Sequence, residues 1–330
     1  MNRDERTTLF AEGMWDWFSR HKRELPWRDL KVKDDTQRAY QILVSEVMLQ
    51  QTQVSRVQIV FKRFIEQFAT IQDLAKASNK EVIMAWKGMG YNSRALRLRD
   101  AAKTIVEKHQ GKFPHDLNAL LSIKGIGEYT AGAIRNFAFG IPTPCVDTNI
   151  HRILHRVFEG PEPEKINAVT KKKVIGFAGE TLRIALECHG ERSRTMTHDT
   201  ENWHASLMDF GSLVCKKNNP LCSICPLSDG ICKSAFKITK KSNATTTLLS
   251  SQKKEPGRLV GGRFIPNRIF RGRIVDILRE HPEGMRLDAI GKEIAIDWSN
   301  ELVGWLDGLL SKLVKDELLQ AKKGVYTLRD

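Results

Sequence analysis

The chain has 330 residues, 41% of them hydrophobic and 28% charged, enough to bury one large core or two smaller ones, and it is not a disordered segment. Lysine and arginine number 53 against 39 acidic residues, and the net charge of +14 points to a polyanionic partner without separating nucleic acid from an anionic membrane surface. No apolar run reaches the roughly 18 residues of a bilayer span and no secretory leader is recognisable, so the expectation is a soluble, intracellular protein with no membrane partner.

From Thr7 to about Phe236 amphipathic stretches alternate with short breaks at Gly, Pro and Asn. TLFAEGMWDWFSRHK, VSRVQIVFKRFIEQF, RALRLRDAAKTIVEKH and TNIHRILHRVF each repeat apolar residues at three and four positions, which predicts an all-helical domain. A helix is expected over SEVMLQQTQ (45–53) and a helical hairpin over LSIKGIGEYTAGAI (121–134). The polar, aperiodic stretch 190–204 reads as a surface loop, and 237–257, rich in Lys, Ser, Thr and Asn, as a linker. After it, three helices and a closing hairpin around Lys322, Lys323 and Gly324 suggest a small winged-helix-like, DNA-binding domain over 258–330.

Four cysteines follow a compact rhythm, Cys215, Cys222, Cys225 and Cys232. Clustered thiolates in so short a segment suit a metal centre in a reducing compartment better than a disulfide framework, and spacing leaves zinc and an iron–sulfur cluster both open. Lys216, Lys217 and Lys233 surround them and would present positive charge to a phosphate backbone. Cys145 and Cys188 read as ordinary buried thiols. His151 and His155 lie one helical turn apart without a third ligand and read as partly exposed or DNA-facing; His189, His198 and His204 are assigned no role.

Two carboxylates stand apart. Glu46 sits among Ile42, Leu43, Val47, Met48 and Leu49, where desolvation would raise its pKa and let it act as a general acid; a helix-edge Glu paired with a basic residue fits the segment equally. Gln50, Gln51 and Gln53 are expected on the same helix. Asp147 precedes a helix, as an N-cap does, and the N–H groups there would keep it ionised. A neutral acid and an anion are what glycosidic cleavage requires, the one protonating the leaving group and the other stabilising an oxocarbenium-like sugar. Gly125 and Gly127, flanked by Lys124, would let the hairpin backbone turn its N–H groups toward a phosphate, and Tyr129 lies two residues further on.

Taken in order, LPWR (25–28), SEVMLQQTQ, GMGYNSRA (88–95), LSIKGIGEYTAGAI, VDTNIHRIL (146–154) and LMDFGSLVC (207–215) with the four cysteines resemble the motifs of the helix-hairpin-helix, or endonuclease III, superfamily of DNA glycosylases. The resemblance is closest to MutY-type adenine DNA glycosylases and covers about residues 9–236. It implies a two-lobed all-α fold over 1–236 with the site between the lobes, a [4Fe-4S] cluster on Cys215, Cys222, Cys225 and Cys232, and excision of a base flipped from double-stranded DNA at a mismatched or damaged pair. By matched position, Glu46 would protonate the adenine and Asp147 would stabilise the sugar cation. Tyr129 and Asn149 would support them, and Gln51 and Tyr91 would wedge into the base stack. The substrate implied is adenine opposite guanine or 8-oxoguanine, acted on by a monomer in the cytoplasm and nucleoid, or in a nucleus.

Endonuclease III relatives carry a strand-cleaving lysine where this chain has Tyr129, so a monofunctional glycosylase leaving an abasic site is expected. Three departures stand out: a six-residue last cysteine gap, Thr148 where adenine glycosylases have Gly, and no likeness of the C-terminus to their oxoguanine-reading domain. The alternatives are a glycosylase removing thymine or uracil opposite guanine, and a non-catalytic metal-containing DNA-binding regulator. Glu46 favours adenine, because departure from a purine needs an acid while a pyrimidine leaves as an anion.

Overall fold

A computed structural model describes residues 1–190, 199–238 and 255–330, so most of the expected linker and part of the expected 190–204 loop, with His198, fall outside the described residues, as does the side chain of His189. Fourteen α-helices are described. In chain order they are α1 (Arg3–His21), α2 (Asp35–Leu49), α3 (Val54–Gln67), α4 (Ile71–Lys76), α5 (Asn79–Ala85), α6 (Ser93–Lys108) and α7 (Leu117–Leu121). Then come α8 (Glu128–Phe137), α9 (Thr148–Phe158), α10 (Ala168–Gly190), α11 (Asp199–Leu213), α12 (Asn267–Glu280), α13 (Leu287–Ile294) and α14 (Val303–Lys315). Five short strands, β1 (Gly257–Val260), β2 (Arg263–Pro266), β3 (Met285–Arg286), β4 (Leu319–Lys322) and β5 (Val325–Leu328), all lie in the C-terminal part.

The chain divides into two compact units, one of residues 1–42, 113–122 and 126–246 and the other of 43–112, 123–125 and 247–330. In the first, α1, α9, α10 and α11 pack together, with Phe10 edge-on to Phe158 and Trp203. The LPWR segment is tied to α11 by Asp209, fully buried, which accepts two hydrogen bonds from the Arg28 guanidinium at 2.7 and 2.8 Å and another from Arg23. Burial opposes the Asp209 charge, yet the two arginines hold its pKa below the ordinary carboxylate value. Residues 199–204 are not the surface loop expected from their polarity: they form the first turns of α11, and Asp199, Thr200, Trp203 and His204 are buried. Thr200 Oγ1 donates to Asn136 Oδ1, and His204 bonds through Nδ1 to the Thr200 backbone carbonyl and through Nε2 to Asn136 Nδ2, so hydrogen bonding lets these polar side chains be buried.

In the second unit Trp86 and Phe64 centre the packing of α3, α5 and α6. The C-terminal part has helices α12, α13 and α14 followed by the hairpin β4–β5, with β3 adding to β5 in a three-stranded antiparallel sheet, which is winged-helix connectivity. Lys323 and Gly324 both take positive φ, 51° and 76°, as a tight hairpin turn requires. The hairpin β1–β2 ahead of α12 was not anticipated, and its first residue, Gly257, closes the stretch read as linker. Its two turn residues, Gly261 and Gly262, share the positive φ of the closing hairpin. Phe270, Ile274 and Leu278 of α12 share one apolar core with Ile83 of α5 and Leu96 of α6. No described helix is long and apolar enough to cross a membrane.

Candidate active site and cysteine cluster

Helix α9 carries the most developed polar arrangement of the first unit. Asp147 is its N-cap, as expected: Oδ1 accepts the Ile150 N–H at 2.7 Å. Oδ2 accepts from Asn149 Nδ2 at 2.9 Å, and Asn149 Oδ1 accepts in turn from Arg152 Nη2 at 2.7 Å. The same guanidinium donates to the carbonyls of Gly211 and Cys215 at 2.8 and 2.7 Å. A continuous hydrogen-bonded path therefore runs from the Asp147 carboxylate to the backbone of the first cysteine.

Burial raises the Asp147 pKa above the ordinary value, and the bonds from Ile150 and Asn149 and the nearby Arg152 charge offset only part of that shift. The direction is opposite to the one expected from the helix N-terminus, because the half-buried carboxylate loses more hydration than the N–H groups restore. Arg152 and Gly211 were not singled out in the sequence. A Cβ on Gly211 would come within 2.7 Å of Asn149 Cβ, so only glycine lets α11 approach α9 at this point. Tyr129, half-buried on the first turn of α8, has its backbone carbonyl accepting from the buried Cys145 thiol at 3.3 Å; Cys188 is half-buried rather than buried.

The hairpin joins α7 to α8. Gly125 has a φ of +102° that disfavours any side chain, whereas Gly127, the N-cap of α8, is extended. Lys124, Gly125 and Gly127 are all exposed.

Cys215, Cys222, Cys225 and Cys232 line a single cavity together with Ile153, Arg156 and Phe210. None is in a disulfide. Arg156 donates to Cys215 Sγ at 3.5 Å and to the carbonyls of Lys216 and Lys217 at 2.7 and 3.0 Å. Desolvation pushes the Cys225 thiol up to about 12 and raises those of Cys215 and Cys232. Among the described residues no group of three or more His, Cys, Asp or Glu is arranged to hold a single metal ion. Four thiols around one cavity beside a buried arginine nonetheless suit a larger anionic centre, with Lys216, Lys217 and Lys233 exposed nearby. His151 and His155 are not DNA-facing: both are buried and stack with ring centres 6.0 Å apart. His204 is wholly buried, and desolvation lowers its pKa to about 4.

In the second unit Glu46 is buried, 7% exposed, on α2. The helix ends at Leu49 and not at residue 53, so Gln50, Gln51 and Gln53 are not on it. Gln51 takes φ +56° and Gln53 caps α3. Arg94 explains the early stop: its buried guanidinium donates to the carbonyls of Val47, Met48 and Gln50, which the helix would otherwise leave unsatisfied. The other terminal nitrogen reaches Thr52 Oγ1 at 3.0 Å and the carbonyls of Met89 and Gly90 at 3.1 and 3.3 Å, so one side chain ties the Gln51 turn to the Tyr91 turn. Tyr91, 45% exposed, also has a positive φ, +45°.

Residues 44–174 match the model of the HhH-GPD superfamily base excision DNA repair proteins. The chain is 35% identical over 239 residues to human adenine DNA glycosylase, covering 71% of this chain and 41% of that protein. It is 36% identical over 214 residues to the adenine DNA glycosylase of Mycolicibacterium smegmatis, 64% of this chain and 65% of that one. The chain thus spans less than half the length of the human relative. Among solved structures, a thermostable thymine-DNA glycosylase matches with a TM-score of 0.60 at 24% identity, over 71% of this chain and 98% of that one. A non-covalent endonuclease III–DNA complex matches with a TM-score of 0.54 at 22% identity, over 72% of this chain and 98% of that one, and both likenesses establish the fold. Over residues 44–174 the chain is thus similar to the HhH-GPD superfamily of base excision DNA repair proteins.

Proposed function

We propose that the protein is a monofunctional DNA glycosylase of base excision repair that hydrolyses the N-glycosidic bond of a mismatched adenine, opposite guanine or 8-oxoguanine, and leaves an abasic site. The observation that carries this reading is Asp147, a half-buried anion capping α9 and oriented by Asn149 and Arg152, in a chain about a third identical to adenine DNA glycosylases. Its charge stabilises the oxocarbenium-like sugar as the base departs. Glu46, shielded from water, delivers the proton that turns adenine into a neutral leaving group, then accepts one from water. With Tyr129 in place of a lysine no amine attacks the sugar, so the strand stays intact. Gln51 and Tyr91 fill the stack vacated by the flipped base, and Lys124, Gly125 and Gly127 hold a backbone phosphate.

Cys215, Cys222, Cys225 and Cys232 would hold a [4Fe-4S] cluster. Four thiols lining one cavity beside the Arg156 guanidinium fit such an anionic centre, and the resemblance to adenine DNA glycosylases favours it over zinc. When bound, the cluster contributes a structural staple, and Arg152 and Arg156 hold the loop that carries it. The catalytic part is assigned to 1–236, with 237–257 as linker and 258–330 as an appended winged-helix domain. The protein would act as a monomer on duplex DNA, in the cytoplasm and nucleoid or in a nucleus.

The test is base release from duplexes carrying A opposite G, A opposite 8-oxoguanine, T opposite G and U opposite G, with hot alkali to reveal abasic sites. Cleavage only after alkali and only in the adenine duplexes is expected. Release of thymine or uracil instead would reassign the substrate, and no release from any duplex would favour a non-catalytic regulator. Elemental analysis of purified protein should find iron and no stoichiometric zinc.

A further inference from the structure

The turn that carries Tyr91 is conformationally costly. Gly88, Gly90 and Tyr91 all take positive φ, 90°, 66° and 45°, and a non-glycine residue in that region is disfavoured by about 1–2 kcal/mol. Left to itself such a turn would relax, yet it is held from two sides. Within its own stretch Arg94 grips the carbonyls of Met89 and Gly90, and Trp86 Nε1 donates to Gly90 O at 3.1 Å.

The second hold comes from the C-terminal domain of the same unit. Arg279 of α12 is 6% exposed, and its Nη2 donates to Ile83 O at 3.0 Å and to Asn92 Oδ1 at 2.9 Å. Asn92 is the N-cap of α6, but its side chain makes no capping bond; it is turned to Arg279 instead. Lys87 pairs with Glu280, Asn79 Nδ2 donates to Glu317 O at 2.9 Å, and Arg268 Nη1 donates to Tyr91 Oη at 3.4 Å. The buried arginine thus pairs Nη1 with Asp276 of its own helix and turns Nε and Nη2 to the α5 carbonyl of Ile83 and to Asn92, the residue after Tyr91, whereas α14, the helix that a winged-helix domain would lay in a groove, offers exposed Asp307 beside Lys312 and Lys315 and so little net positive charge.

We propose that the C-terminal domain serves as a brace that presets the Tyr91 turn, with Arg279 as its positioning residue. For what the turn does to DNA this rests on the glycosylase reading; the brace itself does not. A preset wedge removes the ordering cost from base extrusion, so loosening it slows extrusion before it weakens duplex binding.

The experiment uses the full chain with Arg279→Gln, Arg279→Lys and, because a buried substitution can unfold the protein, the exposed Arg268→Ala. Hydrogen–deuterium exchange of the 88–94 amides is measured first. Arg279→Gln should speed exchange there by about tenfold, as losing a charge-assisted bond predicts, Arg279→Lys by less, and Arg268→Ala by about threefold. Extrusion is then followed by stopped-flow fluorescence of 2-aminopurine beside the target adenine. Arg279→Gln should slow it by about tenfold, and in a Tyr91→Ala background should add less than about twofold, because a residue acting through Tyr91 has nothing left to position. Exchange at 88–94 unchanged in Arg268→Ala and in every folded Arg279 variant would overturn the brace. Multiplying effects in the double variant would overturn its action through Tyr91. If the wild type extruded no base while exchange rose as expected, the glycosylase reading would fall and the brace would stand.

Discussion

Asp147→Asn separates a cap from a catalytic charge. The asparagine oxygen can still accept the Ile150 N–H that Oδ1 now holds at 2.7 Å, and Asn caps about as well as Asp, so this loss is a few tenths of a kcal/mol at most. Its new amide would face Asn149 Nδ2, now 2.9 Å from Oδ2, donor against donor, which forfeits a charge-assisted bond worth roughly 2 kcal/mol. Part returns, because the charge being removed is the one that burial disfavours. Net destabilisation should therefore stay below about 2 kcal/mol. The chemical loss is larger: removing a preorganised charge from a developing cation typically costs on the order of 10²–10³ in rate, about 3–4 kcal/mol. Single-turnover base release against urea unfolding midpoints measures both. A variant that loses more than about 2 kcal/mol of stability yet releases base within about tenfold of wild type would refute the catalytic role and leave capping as sufficient. The same carboxylate must be ionised to act, so the acid limb of the rate profile should fall as pH drops through a value above the ordinary 3.8, and Asn149→Ala, which removes a bond favouring the anion, should move that limb higher still.

Glu46→Gln keeps shape in a buried position and removes the proton, so base release should fall by roughly 10²–10⁴ while duplex binding persists; undiminished turnover would rule out the acid role. Gly211→Ala forces a Cβ to within 2.7 Å of Asn149 Cβ, and should cost about 1–3 kcal/mol and slow base release by displacing the group that orients Asp147; normal kinetics would show that α11 can shift freely. His204 titrates near 4 when folded against about 6.5 unfolded, so the unfolded state binds its proton first: stability is full above pH 6.5 and is lost as pH falls toward 4, by roughly 3 kcal/mol in all. A folded His204→Gln variant should flatten that part of the stability–pH curve, and an unchanged slope would mean that another group is responsible.

Helix periodicity, the N-cap at Asp147, the clustered cysteines and the Lys323–Gly324 turn were legible because each is a local signal, written within a few residues of chain. Polarity misled at 199–204 and at His155, where buried hydrogen bonds satisfy side chains that composition assigns to solvent, and at His151, which is buried against the His155 ring although neither of its ring nitrogens has a hydrogen-bond partner among the described residues. Periodicity likewise overran α2, whose end is imposed by the distant Arg94.

By itself, the sequence determined that the chain to about residue 236 is built of helices, where thiols gather and which carboxylates are available for glycosidic chemistry. Only the tertiary structure decided how those groups are held: Arg152 meets Cys215 across 63 residues of chain, Arg279 meets Asn92 across 187, and Gly211 clears the space for Asn149. The physical reason is that a donor's partner, and the desolvation that raises the Asp147 pKa, depend on what folding brings alongside, which no spacing along one strand of chain encodes.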